Sequence, residues 1–139
     1  MKTRTGWHLL AVALILALSS CRGPDLVGAS GRLTYKGKPV PSTYVIFQPK
    51  EEGKRASTGL TDDDGNFTLD FSRQEKGVLR GEHSVSLRYY ISVEEELHKI
   101  PPKASKELKA VIEKYGDPKT SGLNYEITRD GQFIEINLE

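Results

Sequence analysis

The sequence predicts a mainly β domain, a sandwich of about seven short strands with a helical insertion before a last hairpin. Three observations carry this. Glu82 to Ile91 alternates, with His83, Val85, Leu87, Tyr89 and Ile91 on one face and Glu82, Ser84, Ser86, Arg88 and Tyr90 on the other. The acidic stretch Asp62-Asp63-Asp64-Gly65 runs into Asn66-Phe67-Thr68-Leu69-Asp70-Phe71, a tight turn leading to a strand with Phe67, Leu69 and Phe71 on one face. Turn signals recur at the short spacing of a sandwich, and one Lys/Glu-rich stretch switches to helical period.

The chain opens on a different pattern. Lys2 and Arg4 precede an uninterrupted apolar run from Leu9 to Leu18, closed by Leu18-Ser19-Ser20-Cys21. An apolar run of that length is short of the ~20 residues a spanning helix needs, and it fits the apolar segment of an export signal. Residues 1–20 are therefore expected to be a signal peptide, 21–30 a tether, and 31–139 the folded domain. Within the domain, Gly31 to Tyr35 is the first expected strand and Thr43 to Gln48 the second, ended by Pro49. Ala56 to Leu60 is a third strand, feeding the acidic turn.

Beyond Ile91 the period changes. Ser92 with Glu95 forms a capping box for a short helix through Lys99, broken by Pro101-Pro102. Ala104, Leu108, Val111, Ile112 and Tyr115 make one apolar stripe on a second helix, with Gly116 and Pro118 as its stop. Leu123, Tyr125 and Ile127 face one way in the next strand. Asp130-Gly131 then reads as the turn of a closing hairpin to Ile134, Ile136 and Leu138.

Composition narrows the function classes. Removal of Lys2 and Arg4 takes the balance from 20 basic and 19 acidic residues to 18 and 19, with the signs interspersed. No basic stripe points to nucleic acid, and no run of lysines or arginines points to anionic lipid. The single cysteine, Cys21, allows no internal disulfide.

Two family resemblances follow from these residues. Leu18-Ser19-Ser20-Cys21 resembles the bacterial lipobox. That resemblance implies a diacylglyceryl group on the Cys21 thiol, cleavage before it, and acylation of the new amine; several chains anchor stably where one does not. By the sorting rule of enteric bacteria, Arg22 after the cysteine implies the outer membrane. Gly31-Arg32-Leu33-Thr34-Tyr35-Lys36-Gly37-Lys38-Pro39, Val45-Ile46-Phe47-Gln48-Pro49, the Thr61 to Phe67 turn, Gly81 to Leu87 and the Lys114 to Leu123 tail are together similar to carboxypeptidase regulatory-like domains. These resemblances imply a seven-stranded transthyretin-like, Ig-like sandwich carried alone by a small bacterial lipoprotein. His83 stands where that family usually has tyrosine.

Candidate sites are few. Asp62 and Asp64 are weak calcium candidates, because the positions expected to hold the first acid and the closing Glu of a calcium loop fall on apolar Leu60 and Phe71. A solvated acidic hairpin tip is the simpler reading. His83 and His98 lie on different elements and make a poor transition-metal pair. Glu94, Glu95 and Glu96 suit the start of a helix. Tyr90, on the outward face, is a candidate for an interaction surface. Neither a catalytic Ser/His/Asp nor a Cys/His arrangement stands out. The sequence also lacks the histidine–arginine set of hydroxyisourate hydrolases and the two-tyrosine, two-histidine pattern of intradiol dioxygenases, which use similar folds.

The expectation is a non-catalytic, cofactor-free envelope protein, membrane-bound through lipid on Cys21, whose sandwich binds an envelope protein or a glycan. Alternatives are a structural part of an envelope assembly or, behind that, a metal-dependent protein.

Overall fold

The computed structural model describes residues 23–98 and 104–139, without the side chain of His98. The lipobox with Cys21, and the Pro101-Pro102 break after Lys99, lie outside the described residues. The strands are β1 Leu26–Val27, β2 Ala29–Tyr35, β3 Lys38–Pro39, β4 Thr43–Pro49, β5 Ser57–Leu60, β6 Asn66–Thr68, β7 Val78–Leu79, β8 Gly81–Tyr89, β9 Leu123–Ile127 and β10 Gln132–Leu138. The helices are α1 Val93–His98 and α2 Lys106–Lys114, between β8 and β9.

Two four-stranded sheets face one another. One has the order β5-β4-β8-β9, antiparallel throughout. The other is β10-β2-β3, with β6 also paired to β2. β1 and β7 form a separate antiparallel pair at the side.

Alternation buries one face of each long strand. Leu33 on β2, Ile134, Ile136 and Leu138 on β10, and Phe67 on β6 meet Val45 and Phe47 on β4 and Val85 and Leu87 on β8. Phe47 sits at the centre, fully buried, with Phe67, His83 and Tyr125 rings 5.8–6.5 Å from its own. Burying each such aromatic contributes about 3 kcal/mol relative to exposure. α2 lays Ile112 into this core, with Leu108, Val111 and Tyr115 packed against it, and the Tyr115 carbonyl accepts from Leu87 N.

Local chemistry explains the element ends. Ser92 and Glu95 form the expected capping box, Ser92 N to Glu95 Oε2 and Glu95 N to Ser92 Oγ both at 3.1 Å. Ser105 caps α2 by accepting from Leu108 N, also at 3.1 Å. After α2, Asp117 Oδ1 accepts from Lys119 N, and the buried Ser121 hydroxyl donates to the Val85 carbonyl. That anchor sets where β9 begins its pairing with β8.

Three expectations are corrected. First, β9 and β10 do not form a hairpin: β9 pairs with β8, whereas β10 crosses to the other sheet and runs parallel to β2, from Gln132↔Ala29 to Leu138↔Tyr35. The Asp130-Gly131 turn is itself docked on Gly28, whose amide donates to Asp130 Oδ1 while its carbonyl accepts from Gly131 N. Second, the acidic turn is a crossing between sheets, because β5 belongs to one sheet and β6 to the other. Third, order begins earlier than the expected tether allowed. Leu26 and Val27 already pair with Leu79 and Val78, and Ala29 and Ser30 belong to β2.

Candidate functional site

The strands run between two ends of different character. At one end lie Gly23, the end of β4, the loop 50–56 and the start of β8. At the other lie the acidic turn, the β2–β3 turn, the residues after β8 and both helices.

At the first end is an open cleft of about 1000 Å³ bordered by Gly23, Pro24, Lys50, Lys54, Arg55 and Arg80. Its ion pairs are exposed: Lys50–Glu82 at 3.9 Å, Lys54–Glu51 at 3.5 Å and Arg80–Asp25 at 3.1 Å. Such pairs contribute about 0–1 kcal/mol and exchange partners readily. Arg80 also donates to the Thr128 carbonyl. Arg55 lies over the Phe71 ring, 5.8 Å from its centre, which keeps the guanidinium at the cleft wall. Three of these cations come from the charged loop Lys50 to Arg55, legible in the sequence, and Arg80 joins them from a second segment that only the fold brings near. Phe71 is half-buried here and not part of the core face that alternation gave it.

His83 lies just inside this end and is fully buried. Its Nδ1 is 3.0 Å from the Gly81 carbonyl. A carbonyl only accepts, so Nδ1 carries the proton and Nε2 faces the core without a hydrogen-bond partner. Burial is the larger influence and lowers the imidazole pKa below its usual 6.5, against the raising effect of the Gly81 bond. Paired across the sheet with Tyr125, whose pKa burial raises, His83 behaves as a neutral core ring.

The acidic turn holds its own backbone. Asp62 Oδ1 accepts from Asp64 N at 3.0 Å and Asn66 N at 2.8 Å, and the Asp64 carbonyl accepts from Arg32 Nε. Gly65, at φ +78°, presses against β2, and its carbonyl accepts from Leu33 N at 2.8 Å. Among the described residues, no three His, Cys, Asp or Glu side chains gather as a metal cluster. Asp62 Oδ1 thus holds the turn's own backbone.

The second end carries exposed apolar surface. Tyr90 is 36% exposed and meets Tyr44 edge-on, ring centres 5.5 Å apart. Tyr44 neighbours Leu60 across β4 and β5. Ile91 follows, 57% exposed, and on α1 Val93 and Leu97, one turn apart, are 66% and 71% exposed. Tyr89, one residue before Tyr90, turns the other way, half-buried, under the ammonium of Lys109. The opposite orientation of the two tyrosines is as alternation predicts. Tyr90 was legible in the sequence; its neighbours Tyr44 and Leu60 were not, because cross-strand register brings them there.

No protein-family model and no curated protein matches the chain. Among solved structures it is similar to a DUF3823 family protein from Parabacteroides merdae, at 15% identity and a TM-score of 0.41, over 84% of this chain and 46% of that one. It is also similar to a 9R-lipoxygenase from Cyanothece, at 19% identity and a TM-score of 0.31, over 55% of this chain and 14% of that one. The chain thus spans under half the length of either. At these scores the likenesses carry no functional implication. Among the described residues no helix is long and apolar enough to cross a membrane.

Proposed function

We propose that this chain is a non-catalytic cell-envelope lipoprotein, anchored through Cys21, whose sandwich presents a binding surface for a protein partner at the end remote from the anchor. The observation that carries the reading is the apolar strip Leu60, Tyr44, Tyr90, Ile91, Val93 and Leu97. Exposed apolar surface gathered at one end of a domain marks contact with another macromolecule, and the aromatic pair within it suits a protein interface. The strip lies at the β5-end and post-β8 side, whereas Gly23, two residues from Cys21, lies at the other end. An anchored domain of this shape holds the strip away from the bilayer. The lipobox resemblance supports the anchor, the carboxypeptidase regulatory-like resemblance supports a binding role, and Arg22 after the cysteine supports the outer membrane.

The test is in-envelope crosslinking with the full chain as bait, beside the Tyr90→Arg and Leu97→Arg variants. A protein captured by the wild type and lost from both variants, with their melting temperatures unchanged, is the expected result. Capture that is indifferent to both substitutions refutes the strip as the interface. For the anchor, Cys21→Ser abolishes fatty-acid labelling; persistent labelling refutes it.

A further inference from the structure

The start of the fold leaves little slack between Cys21 and the domain. A ten-residue tether over 21–30 spans up to about 35 Å when extended, enough to free the domain from the bilayer. The chain instead pairs Leu26 with Leu79, and Gly23 and Pro24 already form part of the cleft wall. Two residues from Cys21 to Gly23 reach at most about 7 Å. One leaflet's headgroup layer is about 5–7 Å deep. The Debye length in physiological salt is about 8 Å.

We propose that the cleft end of the sandwich lies directly on the phospholipid surface, with Lys50, Lys54, Arg55 and Arg80 among the headgroup phosphates. The proposal rests on the lipid anchor at Cys21. The cleft is the wall of the domain into which the short tether leads, so its loops are the first to meet the headgroups. Three of its cations are paired with Asp25, Glu51 and Glu82 through solvent-exposed contacts; in a phosphatidylethanolamine surface the phosphate takes the cation and the headgroup ammonium takes the released carboxylate. Arg55 is held by the Phe71 ring, a contact that leaves its forked N–H donors available to phosphate. The same arrangement fixes orientation: strands rising from the cleft carry the apolar strip outward by the length of a seven-residue strand, roughly 20 Å.

The experiment uses the full-length lipidated protein, reconstituted in vesicles of phosphatidylethanolamine with phosphatidylglycerol that contain a headgroup-attached quencher. A fluorophore is placed by Glu52→Cys in the cleft loop or by Lys38→Cys at the other end, and the mass of each purified protein reports acylation. Quenching at position 52 about threefold that at position 38 is expected, since 38 stands roughly a strand's length from the surface. It falls toward the distal value when Lys54→Gln and Arg55→Gln are combined. Acylated protein with equal quenching at both positions overturns the orientation while leaving the anchor intact. Unchanged quenching in the double variant overturns the phosphate contact. A mass without acyl chains overturns the anchor and the proposal with it.

Discussion

Gly31 is the position at which the parallel pairing of the first long strand with the last is most exposed to test. An alanine Cβ there lies 2.2 Å from the Ile134 carbonyl oxygen and 2.6 Å from Phe67 Cζ. Ordinary contact begins near 3.4 Å, so β10 has to retreat by about 1 Å and the Phe67 ring has to swing aside. The first movement weakens one or two ladder hydrogen bonds, each contributing about 1 kcal/mol. The second disturbs the ring that packs on Phe47, and overpacking of this kind costs about 1–3 kcal/mol. Gly31→Ala is therefore expected to destabilise by about 3 kcal/mol, allowing for the few tenths gained by stiffening the unfolded chain. In a domain of this size that lowers the melting temperature by roughly 10–15 °C, followed by circular dichroism. Gly59→Ala, whose Cβ meets Thr68 O at 2.7 Å and Phe67 at 3.2 Å, lowers it less. With β10 paired to β9 instead, the Ile134 contact would vanish and only the Phe67 ring of β6 would crowd the new methyl, so alanine would cost only the overpacking part. A melting temperature unchanged or raised by Gly31→Ala refutes both the register and the argument.

Two further predictions concern the core and the helix that closes it. Because burial lowers the His83 pKa, the unfolded chain binds more protons than the folded one just below pH 6.5; this stabilising contribution is present above that pH and is lost as the pH falls. Urea midpoints should decline between about pH 6.5 and 5, and the decline should flatten in His83→Phe; an equal decline in the variant assigns the effect elsewhere. Ser105→Ala removes the acceptor for Leu108 N and should cost about 1 kcal/mol in urea unfolding, with no loss if the α2 cap is satisfied by water alone.

The alternation of β8, the capping box at Ser92 and the apolar stripe of α2 were legible because each is a local pattern with one physical reading. What the sequence left hidden was partnership between distant segments. Asp130-Gly131 has the chemistry of a hairpin turn, and Gly131 takes the expected positive φ of +72°. Yet turn chemistry fixes only the reversal of the chain; the Gly28 amide and carbonyl, remote in sequence, decide that the reversal aims β10 at β2. The acidic turn misled in the same way, since Gly65 seats it on Leu33 and carries the chain from one sheet to the other. Tyr90 was readable as outward because its neighbour Tyr89 had to face inward. Of the cleft only the charged loop after β4 was readable; its meeting with the segment before β1 and the start of β8 was not.

The parallel ladder of β2 and β10 also has a mechanical meaning. Ala29 enters it at the end nearest the N-terminus, and Leu138 leaves it at the opposite end, beside Tyr35. A pull between the two termini runs along both strands in opposing directions. The load is then shared by all seven residue pairs from Gln132↔Ala29 to Leu138↔Tyr35, which must shear together. A terminal hairpin would instead peel open one pair at a time. Tugged from its C-terminus while its N-terminus is held, this domain resists as a clamp rather than opening as a zipper.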